Sequence, residues 1–367
     1  MTTNFLVSSP SSVPLRSAAA PQRDARLDLV KAIAIYLVVL GHVIQNALSV
    51  NGGNDFFSHP LFEFIYTFHM PLFFVISGYF AQRALTRPLT RLVTDKLLQL
   101  VLPAIAFRIV YAKLLGIGTF TFPYINCIGF WFIGCLFLCF MTAGIGLALL
   151  RSFYAGLLIP ALLLSTGAWE TSFLYLGQMY IFFVAGLILR RHQTFLQQRA
   201  RLILAIVLPI FLLSYALWQP DYVVYLSAHK AWLNSSGFHA DNLYIYLLRV
   251  LIGLAGSLIL IAGSMLISPL ASIPPLLQSI GANTLGIFFL QGYFIGVVSQ
   301  IVHQLSGWIY PVSPAVVWVG AALIITLISY LICRILRLSR LTSFIFLGSR
   351  WHPAGKVPDA RSHSTPS

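Results

Sequence analysis

Long apolar runs separated by short polar segments follow one another along most of the 367-residue chain. An α-helix needs about 20 consecutive apolar residues to cross the hydrocarbon core of a bilayer. The pattern predicts helices at 29–50, 61–82, 97–115, 125–150, 154–169, 172–189, 202–218, 243–267, 280–303 and 314–336. We therefore expect an all-α fold, a polytopic membrane protein with about ten transmembrane helices in one bundle.

Composition and charge support this interpretation. Hydrophobic residues make up 58% of the chain, charged residues only 9%, and the mean hydropathy is +0.86, whereas a soluble protein carries far more charge. The net charge of +14 is concentrated in every second connection, and the intervening connections hold Asp55, Glu170, Asp221 and Asp241. This positive-inside pattern predicts both termini in the cytoplasm and a multi-pass protein of the cytoplasmic (inner) membrane. It does not indicate a nucleic-acid partner.

The predicted transmembrane domain covers residues 26–338. A Ser-, Pro- and Ala-rich stretch at 1–25 is typical of a disordered cytoplasmic tail, and 339–367 is predicted to form a basic cytoplasmic tail. The longest outward loop, 219–242, is either a lid or acceptor-binding segment or a plain connector. The four cysteines show neither a C-x-x-C motif nor metal-ligand spacing, so we expect no disulfide and no metal site.

Three titratable residues interrupt the first apolar run, namely Asp28, Lys31 and His42. A Lys or Asp at the centre of a membrane helix costs about 2.5–3.5 kcal/mol on insertion scales. Lys31 and His42 are 11 residues apart, which is about three helical turns, so both project from one face. Asp28 can pair with Lys31 across one turn. An aligned polar stripe favours a water-filled path or a site over a packing role.

The second predicted helix carries His69 and Glu63. Counted inward from the outer helix ends, His42 and His69 both lie about 12 Å deep, so these histidines are expected to share a site. Histidine accepts and returns a proton near neutral pH. We therefore predict His42 as a general base, with Glu63 stabilising the imidazolium and His69 orienting either group or the substrate. Gly78, later in the same run, permits close approach of another helix.

Arginines mark both ends of the predicted bundle. Arg83, Arg87 and Arg91 recur at four-residue spacing on the predicted cytoplasmic surface. They are either topology signals in contact with anionic lipid headgroups or a binding site for a phosphorylated cytosolic donor, because the Arg fork matches phosphate geometry. Arg249 lies one or two turns into the eighth predicted helix and is a buried charge that needs a partner, so we predict a substrate-binding role for it.

An ordered set of motifs resembles the membrane-bound acyltransferase-3 family. The first helix contains "RLDLVKAIAIYLVVLGH", similar to the family's D-x-x-(R/K) stretch that ends in a His eleven residues after the basic residue. The second contains "FHMPLFFVISGYF", similar to the family's Phe-rich segment ending in Ser-Gly-Tyr/Phe. Further similar segments are "TDKLLQLVLPAI", "GFWFIGCLF", "MYIFFVAGLILRR" and "IGANTLGIFFLQGYF". The resemblance covers roughly residues 26 to 336.

This resemblance implies an O-acyltransferase that uses cytosolic acyl-CoA, usually acetyl-CoA, as donor substrate without a bound cofactor. The implied acceptor is a hydroxyl of a cell-surface or exopolysaccharide glycan, such as a lipid-linked oligosaccharide. Asp28, Lys31 and the three arginines are then expected on the donor path. Asn283 and Gln291, in the last motif, are expected to bind substrate. Family members often have His in place of Gln291, so an acid–base role does not carry over, although Gln can orient an acceptor hydroxyl.

A transporter or flippase of a glycolipid or small anion is the alternative, because buried charges also mark translocation paths. Paired histidines at one depth favour proton-transfer chemistry. An inverted repeat with broken helices would favour transport.

Overall fold

The computed structural model describes residues 24–49, 55–114, 130–166, 175–227, 231–234, 236–267, 273–309 and 313–349. The α-helices are α1 Ala25–Leu48, α2 Pro60–Leu85, α3 Leu89–Lys96, α4 Leu102–Leu114, α5 Phe130–Leu150, α6 Phe153–Ser165, α7 Leu176–Arg191, α8 Gln193–Gln198, α9 Ala200–Ala216, α10 Val224–Ser227, α11 Ala240–Met265, α12 Pro275–Ala282, α13 Thr284–Ile309, α14 Pro314–Leu336 and α15 Arg340–Leu347. Two strands, β1 Leu233–Asn234 and β2 Gly237–Phe238, pair as a short antiparallel hairpin.

The predicted all-α membrane fold is confirmed, but a count of ten crossings is not. Six helices of the described chain are long and apolar enough to cross a bilayer, namely α1, α2, the run Leu89–Leu114, α5, α11 and α14. The run Leu89–Leu114 joins α3 to α4 through a π-helical stretch at Leu97–Val101. The pair α12 and α13 would make a seventh span. The apolar helices α6 and α9 are shorter.

The ninth predicted helix, 280–303, is broken near its start. Helix α12 ends at Ala282 and α13 begins at Thr284, with a bend of 82° between them. Asn283 at the break has φ −114° and ψ 15°, outside the helical region. Beside it, a Cβ on Gly281 would lie 2.0 Å from the Asp28 carbonyl oxygen, so the absence of a side chain lets α12 lie directly on the start of α1.

Helix α1 is the centre of the bundle. It begins at Asp24, whose side chain caps the helix by accepting from the Arg26 backbone N–H at 3.0 Å. Burial favours the neutral carboxyl, but hydrogen bonds from Arg26 outweigh it and lower the pKa of Asp24. The cap is therefore charged at neutral pH, at the positive end of the helix dipole. Helix α1 then packs against α2, α11, α12, α13 and α14.

The most extensive helix pairing joins α2 to α7. It depends on two glycines, Gly78 of α2 and Gly186 of α7, each of which lies against the backbone of the other helix. A Cβ on Gly78 would lie 1.9 Å from the Phe183 carbonyl oxygen, and a Cβ on Gly186 would lie 1.9 Å from that of Val75. The close approach predicted at Gly78 is therefore confirmed, and it brings the two backbones into contact.

The two ends of the bundle differ in charge. The end at which α1 begins and α2, α7 and α14 finish is here called the basic end, and it carries Arg26, Arg83, Arg190, Arg191, Arg334 and Arg337. Its elements touch, since Arg190 donates to the Tyr79 hydroxyl at 3.4 Å and Lys31 lies 5.0 Å from the Phe80 ring centroid. The other end, where α1 finishes and α7 begins, is called the opposite end.

The folded body extends past the predicted domain boundary at residue 338. Helix α15 packs against α4, and the rings of Phe346 and Phe107 lie 5.1 Å apart. The start of the predicted C-terminal tail is thus a packed helix. Residues 1–23 and 350–367, which hold most of both predicted tails, lie outside the described residues.

Candidate functional site

His42 and His69 meet inside the bundle, together with Gln291. The side chains of His42 and Gln291 are hydrogen-bonded to each other, and His42 and His69 are close enough to interact electrostatically. The three residues come from α1, α2 and α13. His69 and Gln291 are each 2% exposed, so little water competes for their polar atoms. The structure therefore brings the two histidines together, and their shared role in a site stays a prediction.

The His69 ring is fixed by its own helix. Its Nδ1 lies 2.8 Å from the Ile65 carbonyl oxygen, and the Tyr66 ring packs against it with centroids 4.5 Å apart. A carbonyl only accepts hydrogen bonds, so Nδ1 carries the hydrogen. The neutral ring is left with Nε2 as its accepting and basic atom.

His42 is paired with an amide and not with a carboxylate. Its partner Gln291 has a buried Oε1 without a hydrogen-bond partner among the described residues. That oxygen is able to accept an N–H or O–H hydrogen that reaches it. The Gln291 carboxamide can therefore orient the imidazole or a substrate hydroxyl, but it takes no proton itself.

A small cavity adjoins His69 toward the opposite end. Its volume is about 20 Å³, close to the room that one water molecule needs. The wall includes His69, Gln178, Trp218, Tyr225 and Arg249. Tyr225 belongs to the predicted outward loop, 219–242, so part of that loop forms the cavity wall, which favours the lid or acceptor-binding interpretation over a plain connector.

The buried side chain of Arg249 is hydrogen-bonded to neighbouring groups. It is 7% exposed, and its Nε donates to the Tyr222 carbonyl at 2.7 Å while Nη1 donates to Gln178 Oε1 at 3.3 Å. Both of these partners are neutral, and the Asp221 carboxylate interacts electrostatically with the guanidinium. Arg249 is therefore buried and partnered, and the substrate-binding role predicted for it stays a prediction.

Two further donors face the same cavity without partners. Gln178 Nε2 and Trp218 Nε1 are buried and make no hydrogen bond within the described part of the chain. A buried unsatisfied donor costs roughly 1–3 kcal/mol, so a ligand with acceptor oxygens would bind here favourably. Neither residue was predicted from the sequence. Gln178 does stand as a polar residue in the first turn of an apolar helix, which is a signal for it.

Glu63 lies away from the histidines. Its carboxylate interacts electrostatically with Tyr215 of α9, and among the described contacts none joins it to His42 or His69. The reason is rotation along α2, because six residues turn an α-helix by about 240°. Glu63 and His69 therefore leave different faces, and the role predicted for Glu63 stays a prediction without support from this geometry.

At the basic end, the predicted pair of Asp28 and Lys31 forms. Lys31 Nζ lies 2.6 Å from Asp28 Oδ1, and the Asp28 side chain is 2% exposed. Of the arginine row, Arg87 is ion-paired with Asp95, whereas Arg83 and Arg91 are exposed. The row thus lies on the surface, and its predicted contact with donor stays a prediction.

Asn283 lies at the basic end, away from the histidines, on a second and larger cavity. This cavity of about 360 Å³ is bordered by Gln278, Ser279, Asn283, Arg334 and Arg337. The structure therefore separates the two residues of the last motif, since Gln291 lies at the buried site and Asn283 at the basic end. In the sequence, Arg334 and Arg337 belong to the basic connections that indicate the orientation of the chain.

The described residues contain no cluster of three His, Cys, Asp or Glu side chains able to hold a metal ion. Cys135, Cys139 and Cys333 are buried free thiols, and Cys127 lies outside the described residues.

Comparison with known proteins agrees with the motif resemblance. Residues 24–334 match the acyltransferase 3 family, described as an acyltransferase domain. The chain is 48% identical over 88 residues to nodulation protein NolL of Sinorhizobium fredii and 42% identical over 87 residues to nodulation protein NolL of Mesorhizobium japonicum. These matches span 24% and 23% of each chain, so they cover about a quarter of the relatives' length. No solved structure matches the chain.

The family match spans the helical bundle from the α1 cap almost to the end of α14 and includes both histidines, Gln291 and Arg249. The chain belongs to the acyltransferase 3 family of membrane proteins.

Proposed function

We propose that the protein is an integral-membrane O-acyltransferase that moves an acyl group, most simply acetyl, from cytosolic acyl-CoA to a sugar hydroxyl. The acceptor is a cell-surface or exopolysaccharide glycan, such as a lipid-linked oligosaccharide. The observation that carries this proposal is the cluster of His42, Gln291 and His69 within the bundle. The chain's membership of the acyltransferase 3 family accompanies it. The shared family supports the reaction class, and the cluster supports a base at its centre.

The charge of the two ends supports an orientation. Basic residues of a membrane protein face the cytoplasm, so the basic end is assigned to the cytoplasm and the opposite end to the outside. On this assignment the donor enters from the side of the Asp28–Lys31 pair. The glycan enters from the side of the small cavity beside His69. The histidines lie between the two.

In the proposed reaction His42 removes the proton of the sugar hydroxyl as its oxygen attacks the acyl carbonyl. The carbon–sulfur bond of the thioester then breaks, and coenzyme A leaves as the thiol after taking the proton from the His42 imidazolium. Gln291 holds the ring through their hydrogen bond. His69 Nε2 is left able to accept from a substrate hydroxyl, since Nδ1 is committed to Ile65.

The acceptor cavity supports binding of an oxygen-rich ligand. Arg249, Gln178 and Trp218 line it and carry N–H groups, and the Gln178 Nε2 and Trp218 Nε1 donors have no partner among the described residues. Sugars and their carboxylate or acyl substituents supply acceptor oxygens. A cavity of about 20 Å³ is too small for a sugar. The wall formed by residues of 219–242 is therefore proposed to move outward when the acceptor binds.

Glycan analysis tests this function. Proton NMR of glycans from cells with and without the gene should show an O-acyl signal only when the gene is present. His42→Ala and His42→Gln should each reduce acyl transfer by about 10²–10⁴-fold, the usual contribution of a general base. The matched control is His192→Gln, an exposed histidine at the basic end, which should retain activity. Robust transfer by well-expressed His42→Gln would contradict the base assignment.

The sharp break between α12 and α13 favours a second candidate, because transporters commonly build substrate sites from broken membrane helices. A glycolipid or anion transporter would leave the glycan esters unchanged and accumulate substrate in the cytoplasm. The same NMR comparison therefore separates the two functions.

A further inference from the structure

A cavity at the basic end has the features of an anion-binding site. It holds about 360 Å³ between α12, the break after it and the last turn of α14. Gln278, Ser279 and Asn283 line one side, and Arg334 and Arg337 line the other. Its volume is many times that of the cavity beside His69, so a sizeable ligand group fits without rearrangement.

Neither arginine of this cavity forms an ion pair with a carboxylate among the described residues. Arg334 Nη1 donates to the Tyr330 hydroxyl at 3.3 Å, which in turn donates to Ser279 Oγ at 3.0 Å. Arg337 Nη2 donates to the Ala282 carbonyl at 3.5 Å. The ion pairs seen in the described chain lie elsewhere, at Asp24, Asp28 and Asp95. Both guanidinium groups are thus positioned by neutral partners and retain N–H donors for an anion.

A helix terminus adds to this positive field. The 26-residue α13 begins at Thr284, directly after Asn283 on the cavity wall. The first amides of an α-helix have no intrahelical partner, and the helix dipole is positive at this end. Together with two arginines one turn apart, such an end favours phosphate.

A third feature suggests more than phosphate alone. Asn283 is 5% exposed, its Nδ2 donates to the Ser279 carbonyl at 2.6 Å, and its Oδ1 is a buried acceptor without a partner in the described part of the chain. A ligand that offers both phosphate oxygens and an N–H donor, as an adenine nucleotide does, would satisfy the arginines and Asn283 together.

The cavity also lies at the start of α13, the helix whose Gln291 reaches His42. Gln291 follows Asn283 by eight residues along α13, a rise of about 12 Å, and it hydrogen-bonds His42. We propose that this cavity binds the phosphate groups and adenine of the acyl-CoA donor, so that the thioester arm extends along α13 toward His42. The inference rests on the proposed function and names the donor site within it. The proposed donor site replaces the row of Arg83, Arg87 and Arg91, of which Arg87 is already paired with Asp95.

Direct binding measurements on the full-length protein test the site. The protein is purified in nanodiscs of zwitterionic lipid, and the affinities of coenzyme A and adenosine 3′,5′-bisphosphate are measured by titration calorimetry. Arg334→Gln and Arg337→Gln should each weaken both ligands at least about tenfold, the effect of losing one charge-assisted contact. The matched control, Arg340→Gln, removes an exposed arginine three residues beyond Arg337 and should bind as the native protein does.

The outcomes discriminate among the explanations. If Arg334→Gln, Arg337→Gln and Arg340→Gln all bind coenzyme A as the native protein does, or all lose the same affinity, the proposed site is wrong. A lipid headgroup is distinguished by repeating the titrations in anionic nanodiscs. If Arg334→Gln and Arg337→Gln weaken binding of anionic lipid but leave coenzyme A affinity unchanged, the cavity is a lipid site and the proposal fails. Arg337→Lys, which keeps the charge, should recover part of the affinity and controls for folding.

The same experiment separates this inference from the proposed function. His42→Gln should bind coenzyme A normally, because His42 lies away from the cavity. If glycan acylation depends on His42 while coenzyme A affinity is equal in all arginine variants, the donor site is wrong and the function stands. If His42→Gln acylates normally while the arginine variants lose affinity, the site stands and the base assignment is wrong.

Discussion

At the scale of single residues, the pairing of His42 with an amide sets this site apart from a histidine oriented by a carboxylate. An amide orients a ring without adding negative charge, so the imidazolium formed during proton transfer gains less stabilisation than beside a carboxylate. In the proposed mechanism Gln291 is therefore a positioning residue. Its contribution is geometric, and it should appear in the turnover rate and not in donor affinity.

We expect Gln291→Leu to lower kcat by about 5- to 100-fold, because a buried hydrogen-bond partner left unsatisfied costs roughly 1–3 kcal/mol. Gln291→Glu also removes the amide N–H, the group left to donate to the His42 ring because Oε1 has no partner among the described residues, and should lose a similar factor. Steady-state kinetics with purified enzyme give both values, and the KM for donor should stay unchanged. A Leu variant as active as the native enzyme would show that the bond to His42 has no catalytic role.

Trp218 and Gln178 test the acceptor cavity. Trp218→Phe removes the unpartnered N–H while keeping an aromatic ring, so it should raise the KM for the glycan acceptor about fivefold or more without changing the KM for donor. Trp318→Phe is the matched control, since Trp318 is buried against His59 away from this cavity. Identical acceptor kinetics for the two variants would mean that the Trp218 N–H binds no substrate.

At the scale of elements, the junction of α2 with α7 holds the site in place, because α2 carries His69 and α7 carries Gln178. The two helices touch backbone to backbone at Gly78 and Gly186, with Pro71 of α2 packed under α11 beside Gly253. Dispersion contacts and weak Cα–H hydrogen bonds at such close range replace the hydrophobic driving force, which is absent between helices in lipid.

Gly186→Ala should therefore destabilise the protein by about 1–3 kcal/mol, since its Cβ would overlap the Val75 carbonyl and force the helices apart. The measurement is the thermal unfolding midpoint in detergent. Gly263→Ala in α11 is the control, because its Cβ would enter open space and should leave stability unchanged or slightly higher. Equal midpoints for both variants would contradict the close packing at α2–α7.

At the scale of the whole molecule, the two cavities lie toward different ends of the bundle, with the histidines between them. This arrangement suits a donor and an acceptor that come from different sides of a membrane. It requires that the basic end face the cytoplasm, which is a prediction of its own.

Cysteine labelling from outside intact cells tests that orientation. With Cys127 replaced by Ser, the three described cysteines are buried, so background labelling should be low. A membrane-impermeant maleimide should label Asp221→Cys, exposed at the opposite end, and should label Ser339→Cys at the basic end only after the cells are opened. Labelling of Ser339→Cys in intact cells would reverse the topology and the assignment of donor and acceptor sides.

The sequence by itself determined the helices and the local pairings along them. In lipid each backbone N–H and C=O must be satisfied within its own segment, so long apolar runs predict helices reliably. Asp28 and Lys31 pair because three residues span one turn, and the shared depth of His42 and His69 follows from the rise per residue. The family resemblance likewise depends on short local motifs and is confirmed over residues 24–334.

The tertiary structure alone decided which faces meet. Membrane helices are apolar on nearly all sides, so periodicity does not show which side packs on which neighbour. Gln291 reaches His42 from 249 residues along the chain, while Glu63, six residues from His69, points elsewhere. The break at Asn283 and the cavity it opens with Arg334 and Arg337 likewise depend on α12 lying on α1 at Gly281. Contacts between helices that are distant in the sequence depend on how the helices pack. The pattern of residues along the chain does not describe that packing.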